Sequence, residues 1–312
     1  MNGLRTLAAT AIVAATAGLA TAGERLVPVA AGETLGVLDT GAGEAVLLIP
    51  GLVGSAFGYR KLTALLAARG YRAIVVEPLG VGASSRPRHA DYSLTAQADR
   101  LAAALDALGV EQATVVAHAV GGSMALRLAL RHPRRVRAIV SVDGGPAEAA
   151  ATPALRRAMR FSFLLRLLGG GERIRRAVRS TLLERAADPR WVTDEVVEGY
   201  VAGAARDVSA TLGAYARMAQ AREPQALAPR LAEIRCPVRL VLGAARRPTI
   251  SDAEIRLLAA SLPAFAIHRV PGAGSFVHEE DPEAVTEVVA EVVAAAGAAA
   301  PRGSAVLTGG LP

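Results

Sequence analysis

Short apolar runs alternate along the chain with longer stretches of helical spacing. Residues 45–49 (A-V-L-L-I), 73–76, 113–117, 137–142, 237–242 and 264–270 are mostly apolar and rich in β-branched residues. Runs this short, apolar on both faces, predict strands buried inside a sheet. Residues 59–68, 94–108, 120–131, 252–262 and 282–296 have helical spacing instead. In the second of these, Leu94, Ala98, Leu101, Leu105 and Leu108 share one face. Near the start, residues 26–30 and 34–38 flank Ala31-Gly32-Glu33, a hairpin pattern. Strands alternating with helices predict an α/β fold: a mostly parallel, doubly wound sheet. The alternation stops after residue 146. From residue 147 to 228 the pattern is helical throughout, broken at Gly169-Gly170-Gly171 and at Pro189. An all-helical insertion inside an α/β rhythm predicts a cap. The expected division is therefore core 23–146, helical cap 147–228, core 229–297 and a loose glycine- and alanine-rich tail, 298–312.

Composition narrows this picture. Hydrophobic residues make up 52% and aromatics only 4%, so the core must be aliphatic. The net charge is +7, carried almost wholly by arginine, since Lys61 is the only lysine. The basic residues are scattered and not interleaved with aromatics, which argues against nucleic-acid binding. One cysteine, Cys236, rules out an internal disulfide framework and a cysteine-based metal site. Residues 1–22 have the form of an export signal: Arg5, an apolar stretch, and Ala20-Thr21-Ala22 at the cleavage point. The expectation is an exported protein, periplasmic or secreted, with an uncleaved membrane anchor as the alternative.

The chemistry centres on Q-A-T-V-V-A-H-A-V-G-G-S-M-A, residues 112–125. A buried strand turns into a helix through glycines, as in a nucleophile elbow. Around it stand L-L-I-P-G-L-V-G-S-A-F-G-Y-R (47–60), V-V-E-P-L-G-V-G-A-S-S-R-P (75–87), C-P-V-R-L-V-L-G (236–243) and V-P-G-A-G-S-F-V-H-E-E-D-P (270–282). In this order and spacing the segments resemble the α/β-hydrolase superfamily, in the branch with a helical cap after strand six. They match its oxyanion loop, the loop after strand four, the elbow, the strand before the catalytic acid and the histidine loop.

The resemblance implies a serine, an acid and a histidine working together. All three positions depart from it. The elbow tip is Ala119, the acid position counted from Gly243 is Arg246, and the histidine position is Ser275. Pro50-Gly51 stands for the usual His-Gly of the oxyanion loop, and Glu77 for the Asp after strand four. The N–H groups of Leu52 and Val120 remain as oxyanion-hole donors, with Gly51, His118, Asp143 and His278 as possible pocket residues.

Other residues invite a second reading. Ser123 lies about 6 Å along the helix from Ala119, where packing against the sheet is the plainer role. His118 precedes the tip and should point away from the pocket. His278 reads as a loop or helix-start residue. Asp143 ends strand six and is either a pocket carboxylate or a plain turn. Residues 155–168 are apolar with interspersed arginines, and Arg173, Arg175, Arg176 and Arg179 follow. That pattern fits a cap helix over a pocket, or weak contact with an anionic membrane. The expected function is a non-catalytic binder of a small apolar or ester-like molecule, without cofactor or metal. The alternatives are an enzyme using relocated groups (Asp143, His278 or Ser123) and a membrane- or partner-binding protein. Oligomeric state is open.

Overall fold

The computed structural model describes residues 23–52, 54–150 and 170–299. The expected signal (1–22), the apolar stretch 155–168 and tail residues 300–312 lie outside them. Among the described residues one sheet contains β1 (Gly23–Ala30), β2 (Glu33–Thr40), β3 (Glu44–Ile49), β4 (Tyr71–Val76), β5 (Ala113–His118), β6 (Val136–Val142), β7 (Val238–Gly243) and β8 (Phe265–Val270). Its spatial order is β1-β2-β4-β3-β5-β6-β7-β8. The hairpin β1–β2 and the pair β2–β4 are antiparallel, and every later pair is parallel. The α-helices among the described residues are α1 (Arg60–Ala68), α2 (Leu94–Ala107), α3 (Val120–Arg131), α4 (Gly170–Arg185), α5 (Asp194–Ala205), α6 (Val208–Gln220), α7 (Asp252–Ser261), α8 (Val277–Glu280) and α9 (Pro282–Ala299).

The central strands are apolar throughout because both of their faces are covered. Leu47 and Ile49 of β3 and Val115 and Ala117 of β5 pack with Leu101 and Leu105 of α2 and Leu128 of α3. The alternate residues, Val46, Leu48 and Val116, pack with Leu62 and Leu66 of α1 and Val285 and Val289 of α9. The two-residue strand period thus splits one run of aliphatic residues between two cores. Helix starts are set locally. Ser93 caps α2 by accepting from Ala96 N, and Ser251 forms a capping box with Glu254 on α7. No helix among the described residues is long and apolar enough to cross a membrane.

Between β6 and β7 the chain runs through α4, α5 and α6. Val178 and Leu182 of α4 meet Val196, Val197 and Tyr200 of α5 in a third apolar cluster, which also takes in Phe57 and Phe276 from the sheet's upper edge. Residues 147–150 and 221–227 are not helical, contrary to the sequence pattern. Glu148 accounts for this: its Oε1 accepts from Leu227 N and Ala228 N at 2.7 and 3.0 Å, drawing the two ends of the segment together. Gly170 and Gly171 lie in α4, and Gly169 lies outside the described residues. At the other end α9 continues through Gly297 to Ala299, where the tail was expected to begin. The flanking alanines are strong helix formers and outweigh one glycine's cost of about 1 kcal/mol. The arginines of α4 largely serve helix packing. Arg175 pairs with Glu198 and Arg179 with Asp194, both on α5, and Arg176 faces Glu172 one turn back.

Candidate active site

At the end of β5 the backbone turns abruptly. Ala119 has φ 51° and ψ −123°, and α3 begins at the next residue. A residue with a Cβ rarely holds this conformation, which costs on the order of 1–3 kcal/mol. The surroundings hold it there. Ala119 N donates to Val142 O at 3.0 Å, and Gly122 N donates to Ala119 O at 2.9 Å. Gly121 and Gly122 are needed for the close approach: a Cβ on Gly121 would stand 2.8 Å from Ile49 O, and one on Gly122 would strike Ser141 Oγ. Gly51 of the loop after β3 lies against the tip, since a Cβ there would meet that of Ala119 at 3.4 Å. Relieving the strain gives a direct test. Ala119→Gly should raise stability by about 1 kcal/mol, after allowing for glycine's freer unfolded chain, and Tm by about 2 °C in calorimetry.

Next to the elbow, β6 ends in a second non-glycine residue with positive φ, Asp143 at 49°. Its carboxylate is buried. Oδ1 accepts from Thr249 N and Oδ2 from Thr249 Oγ1, each at 2.7 Å. Arg185, at the end of α4, donates from a terminal nitrogen to the same Thr249 hydroxyl at 2.7 Å. A carboxylate, a hydroxyl and a guanidinium are thus linked at the ends of β6 and β7.

The loop after β8 is held from above. Ser275 N donates to Arg185 O at 3.1 Å. Glu280 gathers the surrounding donors: Oε2 accepts from Gly274 N, and Oε1 accepts from Ala187 N, Asp188 N and Trp191 Nε1. Ser275 Oγ is buried without a hydrogen-bond partner among the described residues. Opposite the elbow, Tyr215 of α6 donates its hydroxyl to Leu52 O at 2.6 Å.

The residues matched by the family profile described as "alpha/beta hydrolase fold" are 44–193, which contain the elbow and the loops after β3 and β4. The chain belongs to the α/β-hydrolase superfamily. RutD of Azorhizobium caulinodans, provisionally named a carbamate hydrolase, is 37% identical over 50% of this chain and 56% of its own. The 2-hydroxymuconate semialdehyde hydrolase of a Pseudomonas species is 39% identical over 36% of this chain and 40% of its own. The chain therefore spans about half the length, or less, of these curated relatives. Among solved structures, the epoxide hydrolase CorEH superposes with a TM-score of 0.72 at 20% identity, covering 88% of this chain and 99% of that one. A variant of the meta-cleavage product hydrolase CumD from Pseudomonas fluorescens, complexed with acetates, gives 0.69 at 23%, covering 88% and 98%. At these identities the superpositions speak for the fold.

A methyl group stands at the elbow tip, and several sequence candidates point elsewhere. Arg246 is exposed and its Nε donates to Ala186 O at 3.0 Å, away from the elbow. Ser123 is fully buried; its Oγ donates to Gly145 O and accepts from Ala147 N at 2.7 Å, which fastens α3 to the loop after β6. His118 and His278, considered above as pocket residues, are packed into the protein instead. Their ring centroids are 4.6 Å apart, and His278 also lies 4.8 Å from Tyr59. His118 Nε2–H donates to Ser275 O at 3.2 Å, because a carbonyl can only accept. Burial pushes His118 down to about 4, against the opposing pull of Asp143 and the Ser275 hydrogen bond. Burial also holds His278 well below the usual histidine range, reinforced by the charges of His118, Arg60 and Lys61. Both rings are neutral near pH 7.

Glu77, in place of the usual aspartate, is a buried staple. Oε1 accepts from Ala56 N at 2.8 Å and Oε2 from Ala83 N at 2.6 Å. Burial raises its pKa, and the two N–H donors oppose that shift. Thr249, Arg185 and Glu280 carried no local signal in the sequence. Each acts on a segment far along the chain, so only the folded geometry reveals them. Among the described residues no three His, Cys, Asp or Glu side chains group as metal ligands.

Proposed function

We propose that this α/β-hydrolase superfamily member is a non-catalytic binder of a small, largely apolar ligand. The ligand would sit at the C-terminal edge of the sheet, beneath the α4–α6 segment, and would not be turned over. One observation carries the reading: the elbow keeps its strained geometry, φ 51°, with a methyl group at its tip. The cost of that backbone is retained, but the group it would present to a carbonyl is gone. The histidine position agrees, with a buried serine hydroxyl at 275. The N–H groups of Val120 and Leu52 would receive a ligand oxygen, as an oxyanion hole does without its triad.

The test is hydrolysis of p-nitrophenyl acetate and butyrate. The expected result is no burst and turnover indistinguishable from buffer, in the wild-type chain and in Ser123→Ala alike. Turnover that disappears in Ser123→Ala would overturn the proposal. The activities for which the relatives are named suggest where to look for ligands: carbamates, semialdehydes and epoxides of small carbon skeletons, offered as binders in a thermal-shift screen.

A further inference from the structure

Between the loop after β4 and α6 lies a cavity of about 270 Å³, lined by Arg86, Arg88, Asp207, Ser209, Ala210, Gly213 and Arg217. Three guanidinium groups share it with one carboxylate. None of the three arginines forms an ion pair among the described residues, whereas fifteen other arginines do. Arg86 is fixed in place: its terminal nitrogens donate to Ser84 O at 2.9 Å, Gly82 O at 2.5 Å and Gly203 O at 3.2 Å. Its Nε is buried and has no acceptor among the described residues. Two carboxylates stand near, and both are engaged. Asp207 Oδ1 accepts from Ala210 N at 2.8 Å as the cap of α6, and both oxygens of Glu77 are held by backbone N–H groups. The first turn of α6 adds its positive dipole end and its free N–H donors to the same space.

We propose that this cavity binds a small oxyanion: the carboxylate or phosphate group of a compact metabolite. Like charges confined together are unfavourable unless a counter-charge joins them. Guanidinium forks match the planar or tetrahedral oxygens of carboxylate and phosphate in two-point hydrogen bonds. The volume lies just under that of sites for drug-sized ligands, which suits a phosphate monoester or a short dicarboxylate. The site is independent of the elbow and does not rest on the reading of it as non-catalytic. It is not isolated from it, however. Arg217 and Gly213 lie on the same helix as Tyr215, whose hydroxyl holds Leu52 O in the loop beside the elbow. An anion that orders the start of α6 therefore acts on the helix that braces that loop.

The experiment is thermal unfolding of the full chain at constant ionic strength, set with sodium chloride, in the presence of inorganic phosphate, phenyl phosphate or succinate. A saturable rise in Tm is expected, about 5 °C at a hundredfold excess over the dissociation constant. In the double variant Arg88→Gln, Arg217→Gln the rise should vanish while Tm in chloride alone stays near the wild-type value. Arg217→Lys should restore part of it. A larger response to the phosphates assigns a phosphate ester, and a larger response to succinate assigns a carboxylate. No rise beyond the chloride control, or an equal rise in the double variant, overturns the proposal. Should the double variant fail to fold, Arg217→Lys alone decides, with an unchanged half-saturation counting against the site.

Discussion

The double variant Ala119→Ser, Ser275→His should hydrolyse p-nitrophenyl butyrate at least about 10²-fold faster than the wild-type chain. The figure follows from the base. A positioned imidazole acting on a nucleophile contributes roughly 10²–10⁴ in rate. The oxyanion donors add nothing new, because Leu52 and Val120 are unchanged in the variant. The elbow's backbone is already at φ 51°, ψ −123°, so the serine arrives in the conformation that exposes it. The histidine is less comfortable. Ser275 is buried beneath the end of α4, and a larger ring there costs about 1–3 kcal/mol of packing. The rate should therefore fall short of an evolved hydrolase.

The acid in this rebuilt site should be Asp143. Arg246 occupies the position that sequence spacing assigns to the acid, but its side chain reaches Ala186 O on the outside. Asp143 lies close enough to His118 to raise its proton affinity, and His118 Nε2 touches Ser275 O. Both sides of the missing triad therefore meet around His118. Adding Arg246→Asp to the double variant should change kcat/KM less than twofold. Adding Asp143→Asn should lower it at least tenfold, because the imidazole loses the charge that orients it. The opposite pattern would show that spacing, and not the folded geometry, identifies the acid.

Why spacing misplaces that residue is visible in the backbone. Beyond β7, Ala244 N donates to Val270 O and Ala245 N to Ala273 O. This extra pairing carries the chain along the β8 loop and turns Arg246 outward. Hydrogen bonds between segments 26 and 28 residues apart leave no trace in a local pattern. The strands and most helices were legible because burial on two faces demands unbroken apolar runs, and the core helices need an apolar stripe. The elbow was legible because its glycines are sterically forced. Capping and propensity decide helix ends, so the start of the tail was misread where alanines prevailed. The partners of His118 and His278 were not legible at all. They sit 160 residues apart, and which face of β5 a doubly buried residue takes cannot be read from hydrophobicity.

That histidine pair sets the second large effect, a steep loss of stability between pH 6.5 and 5. The folded chain holds both imidazoles neutral, His118 down to about 4 and His278 also far below its ordinary value. The unfolded chain protonates each near 6.5. Below that pH the unfolded state binds more protons, so stability is complete above pH 6.5 and falls as pH falls. For His118 the window from 6.5 to about 4 is worth roughly 3 kcal/mol, a sizeable part of a typical folding free energy. The other groups facing the pair do not cancel this. Tyr59 and Tyr200 are driven upward by burial and stay neutral, and Arg60, Lys61 and Arg185 add positive charge. Among the carboxylates, Asp143 favours protonation of His118 but is outweighed by burial. Glu279 is held by Arg60 Nη1 at 2.5 Å and by Tyr200 Oη at 3.1 Å. Urea unfolding at pH 7, 6 and 5 should therefore show stability falling by up to about 1.4 kcal/mol per pH unit for each histidine between pH 6 and 5. His278→Phe keeps a ring between Tyr59 and His118 and removes Nδ1, which is buried without a partner. That variant should be at least as stable as wild type at pH 7, and its slope should drop by one proton. An unchanged slope would mean that His278 is protonated in the folded chain, and that the pair is held together by something other than the exclusion of charge.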